Sequence, residues 1–287
     1  MKNLQKKINS KIIITGGSGF VGSHLYKKLK KNFKVKRLSH KDLLKNKSKN
    51  NIKDIDYFIH AAASTNYNSP GSDVLKNNLN MIDQIFKNFA NKKTIFINLS
   101  SISMFNKTKQ KVISSRSFYA PEDRFSKSKE IIEKLLKKKR LFRKVINLRL
   151  PGIIGKNCTP NLITNTINNM KRNKNIKIYN PNSSFNNIIH IENLSSCIFK
   201  IIENKYLFKN YFNILIMGSK DKIKIKDLFL YIKNKLNSKS NFNEIKSKRN
   251  SFRLKVSKKI INNSFTVEKI ISKYILNDIS FRHKRII

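Results

Sequence analysis

Residues 121–130 read PEDRFSKSKE, and Lys129 follows Phe125 by four positions, just ahead of the run IIEKLL. On a helix that spacing sets the two side chains on one face. A Tyr-x-x-x-Lys pair in this place would do acid/base work on a carbonyl, because a nearby cation brings a phenol of pKa ~10 towards neutrality. Phe125 keeps the shape of that ring and has no proton to give. Three alternatives stand open: an enzyme whose proton comes from another group, a reaction that is not an ordinary oxidation or reduction, or a fold that binds its ligand without turnover.

A second chemical signal is TGGSGFVGSHL at 15–25, where Gly16, Gly19 and Gly22 form a G-x-x-G-x-x-G pattern. It follows an apolar run and opens a helical one. A tight turn there needs residues without Cβ, the backbone must approach a pyrophosphate, and helix N–H groups then face that anion. Gly16, Gly19, Phe20, Val21 and Gly22 are thus the expected dinucleotide-binding stretch. NAD sites usually hold the ribose 2′-OH with an acid at the end of the second strand. Here the corresponding residues are Ser39 and His40, with Arg37 and Lys41 close by. A hydroxyl among cations suits a 2′-phosphate, so NADP(H) is favoured over NAD(H); a register slip onto Asp42 would reverse that preference.

These residues need elements to hold them. Apolar runs alternate with helical periodicity in the βαβ manner. Strands are expected at 11–15, 33–39, 56–63, 94–101 and 144–151. One helix places Val21, Leu25 and Leu29 four apart, another holds Leu79, Ile82, Ile85, Phe86 and Phe89, and a third runs on from Lys129. The fold class is α/β, a doubly wound parallel (Rossmann) sheet with a smaller C-terminal substrate-binding lobe. The core is expected over 10–155 and the lobe over 156–287, with some segments returning to the core. In the lobe, short strands are expected at 175–179 and 187–191, and helices near 192–204, 225–237 and 266–275. Ser64, Thr65 and Asn66 follow the third strand at the sheet's carboxyl edge, where open α/β sheets bind ligands. Asn161 and Asn186 are candidates to reach a sugar or uridine.

Composition narrows the function classes. With 39% hydrophobic residues the chain is globular, and no run of 18 apolar residues exists to span a membrane. The start, MKNLQKKINSKIIITGG, has basic residues but no apolar segment of a secretory signal. Cys158 and Cys197 fit no metal spacing, so no metal is expected and a reducing cytoplasm is the expected location. The formal charge is +46, from 62 Lys+Arg against 16 Asp+Glu. Lysines spread over almost every stretch, as in compositional drift towards Lys, Asn and Ile. No RNA-binding aromatic motif or Cys/His finger accompanies them, so no specific nucleic acid is expected, only salt-dependent attraction to polyanions. A third reading, an RNA- or membrane-associated protein using its basic face, would ignore the glycine loop.

The motifs together resemble the extended short-chain dehydrogenase/reductases, the NAD(P)-dependent epimerase/dehydratase group that works on nucleotide sugars. DYFIHAAAS resembles that group's strand past the cofactor, which brings in Ala61 and Ala62. INLSS resembles the strand ending in the catalytic Ser/Thr, with Ser101 in that register. FSKSKEIIE resembles its Tyr-x-x-Ser-Lys-x-x-x-Glu segment, with Ser128, Lys129 and Glu133 in place and Phe125 where the tyrosine belongs. LRLPGIIGK and FNNIIHIENL resemble later segments, the second with an acidic residue, Glu192, that ties the lobe to the core. The resemblance implies that Lys129 bonds the nicotinamide ribose and that Ser101 polarises the reacting oxygen. It implies a nucleotide-activated sugar as substrate, of the kind used for bacterial surface polysaccharides, and it is compatible with a homodimer. For the missing phenol the candidates are Tyr119 in SFYAPED, Ser101, or a water. The alternative class is a catalytically silent dinucleotide-binding protein acting as a sensor or partner.

Overall fold

The structure, a computed structural model, describes residues 10–44, 54–65, 73–247, 251–258 and 265–279. In chain order the elements are β1 (Lys11–Thr15), α1 (Phe20–Leu29), β2 (Lys34–Leu38), α2 (His40–Leu44), β3 (Tyr57–His60), α3 (Val74–Phe89), β4 (Ile95–Ser101), β5 (Val112–Ile113), α4 (Arg124–Lys139) and β6 (Lys144–Leu150). There follow β7 (Gly152–Ile154), α5 (Leu162–Lys171), β8 (Ile176–Tyr179), β9 (Ser184–Phe185), β10 (Ile188–His190), α6 (Ile191–Glu203), β11 (Phe212–Ile216), β12 (Ile223–Lys224), α7 (Ile225–Lys235), β13 (Phe242–Ile245), β14 (Arg253–Leu254) and α8 (Val267–Lys273). Contacts divide the chain into two units. The first holds Met1–Met104, Pro121–Arg149 and Ile198–Leu215; the second holds Phe105–Ala120, Leu150–Cys197 and Ile216–Ile287.

The first unit is built on a six-stranded sheet of order β11-β6-β4-β3-β1-β2, and β1 pairs in parallel with β2 and β3, as β3 does with β4. Strands covered on both faces must be apolar along their length; the four residues of β3 and all but the ends of β4 and β6 are buried. The rings of Phe58, Phe96 and Phe142 stack through this core, 5.4 Å and 4.5 Å apart. Helix α3 turns Ile82, Ile85, Phe86 and Phe89 inward, and Asp73 caps it by accepting from Lys76 N–H. After β1 the chain steps to β2 on one side, then returns to lay β3 on the other. The carboxyl ends of β1 and β3 therefore flank the point where the strand order reverses, the place for a ligand in such a sheet. The α/β class and parallel sheet read from the sequence are those observed.

In the second unit Ile163, Ile167 and Met170 of α5 join Ile178, Phe229 and Ile271 in a separate core. Helix α5 and the edge strand β11 are not among the elements the sequence reading expects. The apolar positions of α5 lie among Asn and Thr, which favour turns. It forms because Asn161 and Thr164 make a reciprocal capping box and its apolar stripe has a core to enter. Strand β11 is short and only half buried, so its apolar run is weak.

Candidate functional site

The turn after β1 closes when Gly19 N–H donates to Gly16 O at 3.0 Å. Gly16 has φ +69°, and a Cβ there would lie 2.7 Å from the Ala62 backbone. A Cβ on Gly22 would lie 2.1 Å from Gly16 O, so helix α1 sits directly on the loop. Gly19 is different. Its φ is −73°, and a Cβ would meet only Gly16 O, at 3.4 Å. The fold itself has room for a side chain at this position, which caps α1. No side chain caps the helix and no acidic residue stands in its first turn, so its N–H groups and positive dipole end are left for an anion.

Gly16 and Gly19 line a cavity of about 780 Å³ together with Ser39, Ala61, Ala62 and Ser64, six of the sequence-predicted residues. Arg37, Asp42, Asn77 and Met81 also face it. This is the switch-point crevice. On its rim, Ser39 caps α2: its N–H and Oγ–H donate to Asp42 Oδ2 at 2.8 and 2.7 Å, and Asp42 N–H donates back to Ser39 Oγ. Arg37 lies along Gly17, whose Cβ would be 2.6 Å from the Arg37 side chain, and its guanidinium stacks 4.4 Å from the Tyr26 ring centroid. The lining of the crevice thus includes both a cation and a carboxylate. The glycine cradle and the bare helix end fit a dinucleotide.

Lys129 and Phe125 do share a face of α4. The helix starts where it does because Asp123 accepts from Ser126 N–H at 2.7 Å while Ser126 Oγ accepts from Asp123 N–H. The Lys129 ammonium sits 5.5 Å from the Phe125 ring centroid and donates to Leu99 O at 3.0 Å, two residues before Ser101. Burial lowers its pKa to about 8, against the opposing charge of Glu133. Glu133 is fully buried in turn: Arg149 Nη2–H donates to it at 2.9 Å, Arg149 Nε–H at 3.2 Å, and Ser100 Oγ–H at 2.7 Å. His60 Nδ1 lies 2.9 Å from Thr15 Oγ1, and burial, aided by the Lys129 charge, holds His60 near pKa 3, as a neutral ring. Ser101 ends β4, half buried, and its Oγ accepts from Ser103 N–H.

Sequence reasoning missed Asn78. Buried in α3, it donates to Ser64 O and Ser128 Oγ at 3.2 and 3.0 Å and accepts from Ser64 N–H at 2.7 Å. It joins the loop after β3 to the turn of α4 that carries Lys129. The available signal was a lone amide on an otherwise apolar helical face. Arg149 was legible in the same way, as a charge inside the apolar strand KVINLRL, which needs a partner.

The other candidates lie as follows. Phe20 and Val21 form the first turn of α1, half buried, and Thr65 is exposed. Asn66 and the His40 side chain lie outside the described residues. Tyr119 belongs to the second unit and stacks on Phe105 at 5.9 Å. Asn161 caps α5, accepting from Ile163 and Thr164 N–H. Asn186 is buried, with its amide bonded at both ends to the Leu254 backbone. Glu192 pairs with Lys273, both in the second unit. Among the described residues no cluster of His, Cys, Asp or Glu could hold a metal, and no helix is long and apolar enough to cross a membrane.

The model of the NAD dependent epimerase/dehydratase family matches residues 12–214. The chain belongs to the NAD dependent epimerase/dehydratase family. No curated protein matches it. Among solved structures, this family member is similar to RMD from Pseudomonas aeruginosa complexed with NADPH: TM-score 0.71, 18% identity, covering 96% of this chain and 100% of that one. It is similar too to UDP-glucuronic acid 4-epimerase from Bacillus cereus in complex with UDP-glucuronic acid and NAD, with TM-score 0.71, 19% identity, and 92% and 97% covered. A Tyr-to-Phe mutant of that epimerase, in complex with UDP-4-deoxy-4-fluoro-glucuronic acid and NAD, gives TM-score 0.70 at 18% identity, with 92% and 97% covered. At these identities the likeness is one of fold.

Proposed function

We propose that the chain is an NADP(H)-using oxidoreductase acting on a nucleotide-activated sugar, by reduction of a keto-sugar or epimerisation through one. The observation behind this reading is Gly19, a position where the fold tolerates a side chain yet leaves a bare helix end facing the crevice. The structurally similar proteins that hold NADPH, or NAD with a UDP-sugar, support the ligand class. When bound, the cofactor supplies or accepts hydride. The chain's own residues do the rest: the glycine loop and the first turn of α1 hold the diphosphate, and Arg37 meets the 2′-phosphate. Lys129 bonds the ribose, Ser101 polarises the reacting oxygen, and Ser64 and Thr65 meet the sugar. A precursor of surface polysaccharide is the substrate type that the sequence resemblance supports.

The test is a fluorescence titration with NADPH and NADH at low and high salt. Saturable NADPH binding that survives high salt, weakens in Gly19→Asp, and exceeds NADH binding by tenfold or more (about 1.4 kcal/mol) is expected. In Arg37→Ala that preference should disappear. Binding that vanishes with salt for both cofactors would sink the reading.

The second reading, binding without turnover, has Phe125 in its favour. The Bacillus cereus mutant shows that loss of one tyrosine hydroxyl is compatible with both ligands in that protein. Oxidation of NADPH in the presence of nucleotide-linked keto-sugars separates the two.

A further inference from the structure

Arg37 of β2 is part of the crevice lining, and two neighbours fix the path of its side chain. The first is Gly17. A Cβ there would stand 2.6 Å from Arg37 Cγ and Cδ and 3.0 Å from Arg37 Cβ. The φ of Gly17 is not left-handed, so its backbone does not call for glycine; the room that Arg37 takes does. The second neighbour is Tyr26 of α1, whose half-buried ring carries the guanidinium 4.4 Å from its centroid. Lys30, one turn further along α1, lies farther from the same ring, at 5.3 Å. Stacking occupies the flat face of a guanidinium and leaves its five N–H donors, which lie in the plane, pointing outward. Among the described residues no acceptor takes those donors. The carboxylate on the same lining, Asp42, accepts both donors of Ser39 on its Oδ2, which ties it to the cap of α2.

We infer that Tyr26 is a positioning residue for the choice of cofactor: by holding the Arg37 guanidinium against its ring, over Gly17, it keeps the N–H edge aimed for the 2′-phosphate of NADP(H). The inference rests on the NADP(H) reading of the preceding section. An exposed arginine samples many rotamers, and fixing it on a phosphate costs conformational entropy. Arg37 is exposed, and the ring and the gap above Gly17 remove part of that cost before the ligand arrives. A guanidinium edge presented in this way can meet a phosphate with two parallel N–H bonds. NADH has a hydroxyl in place of that phosphate, so the arrangement of Arg37 adds nothing for it. A cation–aromatic contact at an exposed site is worth roughly two- to fivefold in affinity. Tyr26 touches no cofactor itself; it acts through Arg37.

The experiment titrates Tyr26→Leu and Tyr26→Phe with NADPH and NADH at high salt, beside the wild type. Leucine removes the ring and should weaken NADPH binding by roughly two- to fivefold while NADH binding stays at its wild-type value. Phenylalanine keeps the face of the ring and should restore NADPH binding. A loss shared equally by NADH is what a merely structural residue would give, and it overturns the inference. So does a Tyr26→Phe as weak as Tyr26→Leu. A preference for NADPH that Tyr26→Leu keeps in full overturns the inference alone; a wild type with no such preference overturns the cofactor reading as well. A second measurement needs no variant that loses the ring. In wild-type protein with 15N-labelled arginine, the Arg37 Nε–H signal is the one absent from Arg37→Lys. It should lie upfield of the usual arginine position, because the face of a ring shields it, and should move on addition of NADPH. A signal at the usual position, or one that ignores NADPH, overturns the inference.

Discussion

At Lys129 the cost of burying a charge turns into a dependence of stability on pH. Its folded pKa, about 8, lies below the value of 10.5 expected in the unfolded chain. Between those values the unfolded chain binds more protons, so this group's contribution to stability rises as pH rises. Below pH 8 the full penalty is present, on the order of 3 kcal/mol from the size of the shift. Lys129→Met should therefore be more stable than wild type to urea below pH 8, by up to about that amount. The advantage should fade towards pH 10.5; a difference that stays constant with pH would show that the lysine is not buried as described. The sequence showed Lys129 and Phe125 and their spacing, because four residues of helix fix a shared face. It could not show that Lys129 is buried while most of the other described lysines are exposed, since burial depends on Leu99 and Phe125 closing around one ammonium.

At the scale of elements, the site is held by polar side chains that join one element to another. Asn78 links α3 to the loop after β3 and to α4; the Glu133–Arg149 pair links α4 to β6, and Ser100 adds β4. Asn78→Ala strands the Ser64 backbone groups, and an unmet buried group costs about 1–3 kcal/mol. We expect a loss of stability of that size in chemical denaturation, together with weaker NADPH binding because Ser64 lines the crevice. Unchanged NADPH affinity would mean that the loop holds its place without Asn78. The strands of the core and the helices α1, α3 and α4 were legible, since long periodic patterns name their own element type. Helix α5 and strand β11 were not, because one hides its stripe among turn-forming residues and the other is a short, half-buried edge.

For the whole molecule the dominant number is +46. Such a charge attracts any polyanion through counterion release, an effect that falls steeply with salt. Heparin retention should therefore drop sharply between low and high salt and be the same in Gly19→Asp, whereas NADPH binding should depend on Gly19 and survive the salt. If Gly19→Asp changed heparin retention, the two kinds of anion binding would share a site. The sequence by itself determined the parallel α/β sheet, the glycine cradle at its first turn, and the absence of a tyrosine four residues before Lys129, because each is a local pattern of residue types. Only the tertiary structure decided which residues meet. Segments 105–120 and 198–215 change units without any mark in composition. Arg37 turns to Tyr26, and Glu133 of α4 is held by Arg149 of β6 and Ser100 of β4. Those pairings follow from the order in which the strands pack, and long-range packing leaves no period in a sequence.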